Sequence, residues 1–565
     1  MIKKIFLTYV LISLCFPLAF VFAEDEDTIT DIEEQKHYEK GAYSVDDKGD
    51  TLTIKKGEGF DFKVPEILIT GQIDTRILLK RETTSLESLE DVNSVIYEKG
   101  KIMMPYFYLN EEKFSPNFQD TSKIRDFVGK IKLTAGSYNT IMADGTIGKY
   151  FNENNRFILK LYHLNHDNEI INDRNTYNNL NSFSCYYGTM YEKFNVLYRI
   201  KFDINQYSNP YPFNEFSGFY DLRDFVAGIN FSGNIKDVIS DISFIWTYFD
   251  QINSEDVFLY KENRLNLKFS IEKDFNVEQQ KRVKTTLNSD IYGGDAFMEG
   301  SNYNPFYLDL MLKAILYFEP FILQGGIRAQ YFKLDNDNFR MSPYIFASYD
   351  LFSGVSFYAV FKPQMNVISN IDVLTIPFVS ANGSYKPELE KVNVKTGFNI
   401  NFFEMFFDVY CGYKSINDYL FLNSESGDFI FTNHNCSLDF RYYGLSVETL
   451  HIKELKILFD YVYNDVISSS RNVTYMPYNV IELKAIYQPA GWEFSVSAKG
   501  ETAQYGTTDK KMPPYFVMDF SIAKIISDNF TITGYVNNIL NNNYYLLYYY
   551  QQRKLNMGLG IVFKF

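Results

Sequence analysis

The chain has 565 residues, a net charge of −15, and 46 Tyr and 52 Phe against only two Trp. That acidic balance argues against nucleic acid as a partner, because phosphate neutralisation requires clustered cations. After residue 23 no stretch offers the roughly 18 consecutive apolar residues of a membrane-spanning helix, which excludes a helical membrane protein.

The amino terminus reads as an export signal over residues 1–23. Lys3 and Lys4 supply the positive start, 5–22 the apolar core, and Val21-Phe22-Ala23 a small-residue cleavage site. A retained membrane anchor is the alternative. Leu14 precedes Cys15 inside the apolar core, which does not suit a lipoprotein cysteine. Residues 24–129 follow as an acidic leader, opening on Glu24-Asp25-Glu26-Asp27 and expected to be mostly disordered. Within it, Pro65-Glu66-Ile67-Leu68-Ile69-Thr70-Gly71 is an extended, β-prone heptad of the kind that adds as a strand to a partner sheet.

From about residue 130 to Phe565 the chain consists of strand-like runs with a period of two. Phe194, Val196, Tyr198, Ile200 and Phe202 alternate with Asn195, Leu197, Arg199 and Lys201. Ile242, Phe244, Trp246 and Tyr248 repeat the pattern, as do Leu455 to Tyr463 and Trp492 to Ala498. Each run is about ten residues, the length of a tilted strand crossing a bilayer. Short connections fall at 152–155, 191–193, 233–236, 274–277, 319–320, 353–354, 403–405, 453–454, 489–491 and 527–529. Longer polar stretches separate them, such as 205–221, 293–305, 364–380, 423–432 and 537–552. Short turns at one end and long loops at the other are the asymmetry of outer-membrane barrels. Ten short turns predict a closed antiparallel all-β barrel of about 22 strands, embedded in outer-membrane lipid. The closing run carries Met557, Leu559, Ile561, Phe563 and Phe565 on one face and Gly558, Gly560, Val562 and Lys564 on the other. Its aromatic end resembles the signal that the barrel-assembly machinery reads, with Gly560, Phe563 and Phe565 as its residues. An ordinary half-buried strand of a soluble sandwich is the plain alternative for this run alone.

Local sequence resembles the TonB-dependent receptors. Tyr385-Lys386-Pro387-Glu388-Leu389-Glu390, followed by a strand from Val392, is similar to a turn in the middle of their barrels. Residues 342–351 resemble the strand upstream of it, and 131–148, with Gly136-Ser137-Tyr138, their first hairpin. Val536-Asn537-Asn538-Ile539-Leu540-Asn541, then Tyr544-Tyr545, is similar to their carboxyl-terminal signature. The heptad at 65–71 resembles the box such receptors offer to the energy-coupling protein TonB, which makes TonB a candidate partner. One departure stands out. The charge-rich stretch between Gly71 and Lys130 is too short for a complete plug domain and lacks a glycine-rich run. The resemblance implies a transport barrel moving a small solute across the outer membrane, without a complete plug. Passive porin and adhesion or scaffold barrel are the alternatives.

Enzyme chemistry finds little foothold, and no cofactor is expected. His163 and His166 are three apart on a strand, so they point to opposite faces and cannot share a metal. No Gly-x-Ser-x-Gly elbow, phosphate loop or paired-Cys zinc pattern occurs. Cys185, Cys411 and Cys436 have no metal-like spacing. Acidic residues such as Asp309 and Glu319 are expected to line water.

Overall fold

The computed structural model describes residues 128–565 apart from short stretches, chiefly 209–218, 254–257, 368–378, 381–386 and 433–436. The expected signal peptide, the heptad at 65–71 and the rest of the expected leader lie outside the described residues, except Val128 and Gly129, which open the first strand.

Twenty-two antiparallel strands form one closed barrel. The first nine are β1 (Val128–Gly136), β2 (Thr140–Asn152), β3 (Asn155–Ile171), β4 (Arg174–Met190), β5 (Phe194–Ser208), β6 (Phe219–Ile235), β7 (Val238–Asn253), β8 (Phe258–Glu278) and β9 (Lys281–Met298). Next come β10 (Phe306–Phe318), β11 (Phe321–Lys333), β12 (Asp337–Phe352), β13 (Val355–Phe361), β14 (Glu388–Phe402) and β15 (Met405–Asn417). The last seven are β16 (Leu438–Thr449), β17 (Leu455–Ser469), β18 (Asn479–Tyr487), β19 (Trp492–Glu501), β20 (Tyr515–Ser527), β21 (Phe530–Asn537) and β22 (Asn556–Lys564). Each strand pairs with the next, and β22 pairs with β21 on one side and β1 on the other, leaving no free edge at the seam. The expected strand number is therefore the observed one.

Eight of the ten expected short turns fall where the polar breaks place them. The other two come later, since β6 runs on to Ile235 and β8 to Glu278. Pairs such as Asn234↔Ile239 and Asp274↔Lys284 continue the ladder through polar residues. Backbone pairing needs no apolar side chain, so polarity marks the end of the membrane band rather than the end of the strand. The same reason explains why β8 has 21 residues, about twice a bilayer crossing.

The outer face is apolar and exposed, as a lipid-facing wall requires. Leu265, Leu312, Ile327, Ile345, Phe398 and Leu559 all project from it. Aromatic residues ring the turn end: Tyr191 stacks on Phe194 at 4.5 Å between ring centroids, Phe321 meets Tyr349 at 4.6 Å, and Phe402 meets Phe403 at 4.1 Å. There Lys524 Nζ sits 4.3 Å from the Trp492 ring centroid, a cation–aromatic contact suited to an interfacial girdle. The main buried cluster lies on the inner wall from β10 to β17, where Tyr344, Phe346, Tyr358, Tyr410, Phe440 and Tyr442 pack with Val473 and Met476 of the β17–β18 connection. A barrel of this girth is too wide for strand side chains alone to fill. Here a loop contributes to the filling.

Candidate functional site on the inner wall

Alternation sends charge inward wherever it sends aliphatics outward. On β11, Ile327 is 55% exposed to the lipid side, while Arg328 and Gln330 point into the lumen and Gln330 is fully buried. On β14 a bulge between Glu390 and Val392 shifts the register. Glu388 and Glu390 before it, and Asn393 and Lys395 after it, thereby share the inner face.

These side chains join into one network in the half of the lumen nearer the long loops. Arg328 donates through Nε to both oxygens of Asp309, at 3.0 Å each, and through Nη2 to Oδ2 at 2.5 Å. Its Nη1 donates to Gln364 Oε1. Tyr307 also donates to Asp309, at 3.0 Å. Gln364 Nε2 donates to Asn366 Oδ1 at 2.9 Å, and Asn366 Nδ2 to Glu390 Oε1 at 3.3 Å. Glu390, fully buried, further accepts from Asn393 at 2.9 Å and lies 3.7 Å from Lys414 Nζ. Buried charges of this kind persist only when paired and hydrogen-bonded. The chain is acidic overall, yet this wall sets Lys313, Arg328, Arg340, Lys362, Lys395 and Lys414 against Asp309, Glu388, Glu390 and Asp408. The net charge of the chain does not describe this stretch of the lumen wall.

Beside the network, tyrosines are staggered against glycines. Tyr358 and Tyr410 both face Gly397, Tyr410 also faces Gly444, and Tyr442 faces Gly412. A Cβ on Gly412 or Gly444 would overlap the opposing ring. The rings thus lie flat across backbone that no larger residue could vacate. Between them Lys395 Nζ sits 3.8 Å from the Tyr410 centroid and 5.6 Å from that of Tyr358. Asp408 accepts from Lys395 at 3.5 Å and from Tyr358 at 2.8 Å.

The residues singled out in sequence fall as follows. Asp309 faces the lumen, but Arg328 clamps it, and Glu319 lies outside the described residues. His163 and His166 occupy opposite faces, the first paired with Asn181 at 2.8 Å and the second, buried, with Thr140 at 2.9 Å. Phe563 and Phe565 project outward at the seam with rings stacked at 6.0 Å, and Gly560 faces inward between Thr134 and Thr533. Val536 to Asn541 forms the end of β21 and a turn with Asn538 and Asn541 at positive φ. Arg328, Gln330, Gln364, Lys395, Asp408 and Lys414 were not anticipated from sequence, and Glu390 was noted only within a motif. The available signal was charge in mid-strand at lumen parity, as in Ile327-Arg328-Ala329-Gln330.

Known proteins agree with this architecture. No curated protein matches the chain. Among solved structures it resembles the FrpB iron transporter from Neisseria meningitidis (F5-1 variant), with 11% identity, TM-score 0.63, and 78% of this chain and 82% of that one covered. The copper transporter OprC gives 13%, 0.61, 78% and 80%, and the ferric-catecholate import receptor Fiu from E. coli K12 gives 11%, 0.60, 78% and 82%. At such identities these likenesses speak for the fold. The family described as "TonB dependent receptor-like, beta-barrel" matches residues 110–539, most of the chain. With the closed barrel and that match in hand, the chain belongs to the TonB-dependent receptor-like β-barrel family.

Proposed function

We propose that this protein is an outer-membrane transport barrel that takes up a small solute through its lumen. The observation that carries the reading is the paired, buried charge network lining the loop-side half of the lumen. A barrel serving only as a scaffold gains no stability from buried ion pairs that apolar packing could replace, whereas a solute path uses polar groups along its wall. The solved structures it resembles include an iron transporter, a copper transporter and a ferric-catecholate import receptor, which favours transport over catalysis. In this reading the signal peptide exports the chain, the barrel-assembly machinery reads the end at Phe565, and the heptad at 65–71 engages TonB.

Planar-bilayer conductance of the purified full chain tests it. A transporter whose lumen is filled shows little steady current from the untreated chain. Large steady currents from the untreated chain would replace this reading with a passive porin.

A further inference from the structure

The barrel wall splits in its loop-side half, between β12 and β13. Their ladder reaches Ile345↔Phe361 and stops. Continued by two residues in the same register, it would set Pro343 opposite Pro363. Neither proline has an N–H to donate, so the pair cannot extend the ladder. Beyond this point β12 continues along β11 through Asp337↔Lys333. The β13 chain instead leaves the wall and keeps to β14, with Lys362 N donating to Asn393 O at 3.0 Å and Glu390 N to Gln364 O at 2.9 Å. Met365 and Asn366 pair with Leu389 and Glu388.

β14 stays on β15 here, through Leu389↔Asn417 and Glu390↔Ile416, and the departing segment 363–366 lies over the lumen side of β11 and β12. Lumen-facing side chains of those strands hold it by its backbone. Gln330 accepts from Met365 N at 2.8 Å and donates to Met365 O at 2.9 Å. Arg340 donates to Glu390 O, and Arg328, anchored on Asp309, donates to the Gln364 side chain. Gln364, Met365, Asn366 and Glu390 are all buried there. The wedge around the two prolines encloses about 20 Å³, room for one water and for no solute.

We propose that residues 362–366 are a flap that narrows the loop-side mouth of the lumen. It hinges where Pro343 and Pro363 interrupt the wall, Arg328 and Gln330 are the positioning residues that latch it inward, and Arg340 fixes the strand it rests on through Glu390 O. An irregular loop start would explain a break in pairing. It would not explain two lumen-facing side chains of β11 converging on the side chain and backbone of one short segment. The flap deepens the transport reading by naming the part of the wall that must move, and it rests on that reading only for its purpose.

Hydrogen exchange of the full chain in detergent micelles, read by mass spectrometry, tests the latch without any solute or TonB. Gln330→Ala and Arg328→Gln should each speed exchange of peptides covering 362–366 at least tenfold, with peptides from β2 to β5 unchanged. Heat-modifiable mobility on gels checks that both variants form barrels. The double change Pro343→Val, Pro363→Val restores two donors, so those amides should stay protected even beside Gln330→Ala. Cells carrying the latch variants should become several-fold more sensitive to a large hydrophilic antibiotic such as vancomycin. Exchange at the wild-type rate in both latch variants overturns the latch. Faster exchange with unchanged antibiotic sensitivity overturns the gating role. Loss of the transport reading, through large currents from the untreated chain, would leave the exchange result standing.

Discussion

Lys395 and Asp408 form an ion pair that the barrel buries on its lumen side, N to O at 3.5 Å, with both side chains at most 6% exposed. The two strands bring them within reach through the pairing of β14 with β15, and the rings of Tyr358 and Tyr410 replace the water that the ammonium has lost.

Removing one partner should cost far more than removing both. Lys395→Met leaves the Asp408 carboxylate buried and uncompensated, an expected loss of about 3–5 kcal/mol. Lys395→Met with Asp408→Asn should recover most of it. Urea unfolding midpoints of the parent and the two variants in micelles decide the point, and equal losses in single and double variants would contradict it.

At the seam, Gly129 and Phe565 exchange both backbone hydrogen bonds, at 2.9 and 3.0 Å, and the Phe565 ring occupies the space a Gly129 side chain would need. Deleting Phe565, or changing Phe563 and Phe565 to Asp, should abolish the folded, membrane-inserted form. Gly129→Val should reproduce part of that loss by displacing the ring. Heat-modifiable barrel in outer-membrane fractions is the measurement, and normal amounts of the deletion variant would refute the seam as an assembly element.

Glycines opposite tyrosines should be intolerant of bulk in a specific way. Gly412→Val forces the Tyr442 ring aside and is expected to destabilise by about 1–3 kcal/mol, the range for overpacking. Adding Tyr442→Ala should remove the clash, so the pair should be non-additive. A Cβ on Gly325 would meet no atom within 4 Å, and Gly325→Ala should fall within about 0.5 kcal/mol of the parent.

The leader supplies a fourth expectation. Purified TonB carboxyl-terminal domain should retain the full chain on a column, and Ile67→Pro with Ile69→Pro should lose retention, because proline cannot donate to an added strand. Absence of binding by the unaltered chain would remove TonB as a partner.

Much of this protein was legible in one dimension. Period-two alternation, as from Met557 to Phe565, marks which side chains meet lipid, and polar breaks such as Ser353-Gly354 mark where strands reverse, so strand number and closure follow from local pattern. Asp309, expected to line water, does face the lumen. Sequence could not say that Arg328 would clamp it, that Lys414 would reach Glu390, or that the β12–β13 ladder would stop just short of Pro343 and Pro363. Those relations depend on register, on the bulge between Glu390 and Val392, and on a loop returning into the lumen. Alternation specifies a face and leaves the partner on that face open, because every inward residue of every neighbouring strand has the same parity; only the closed barrel selects among them.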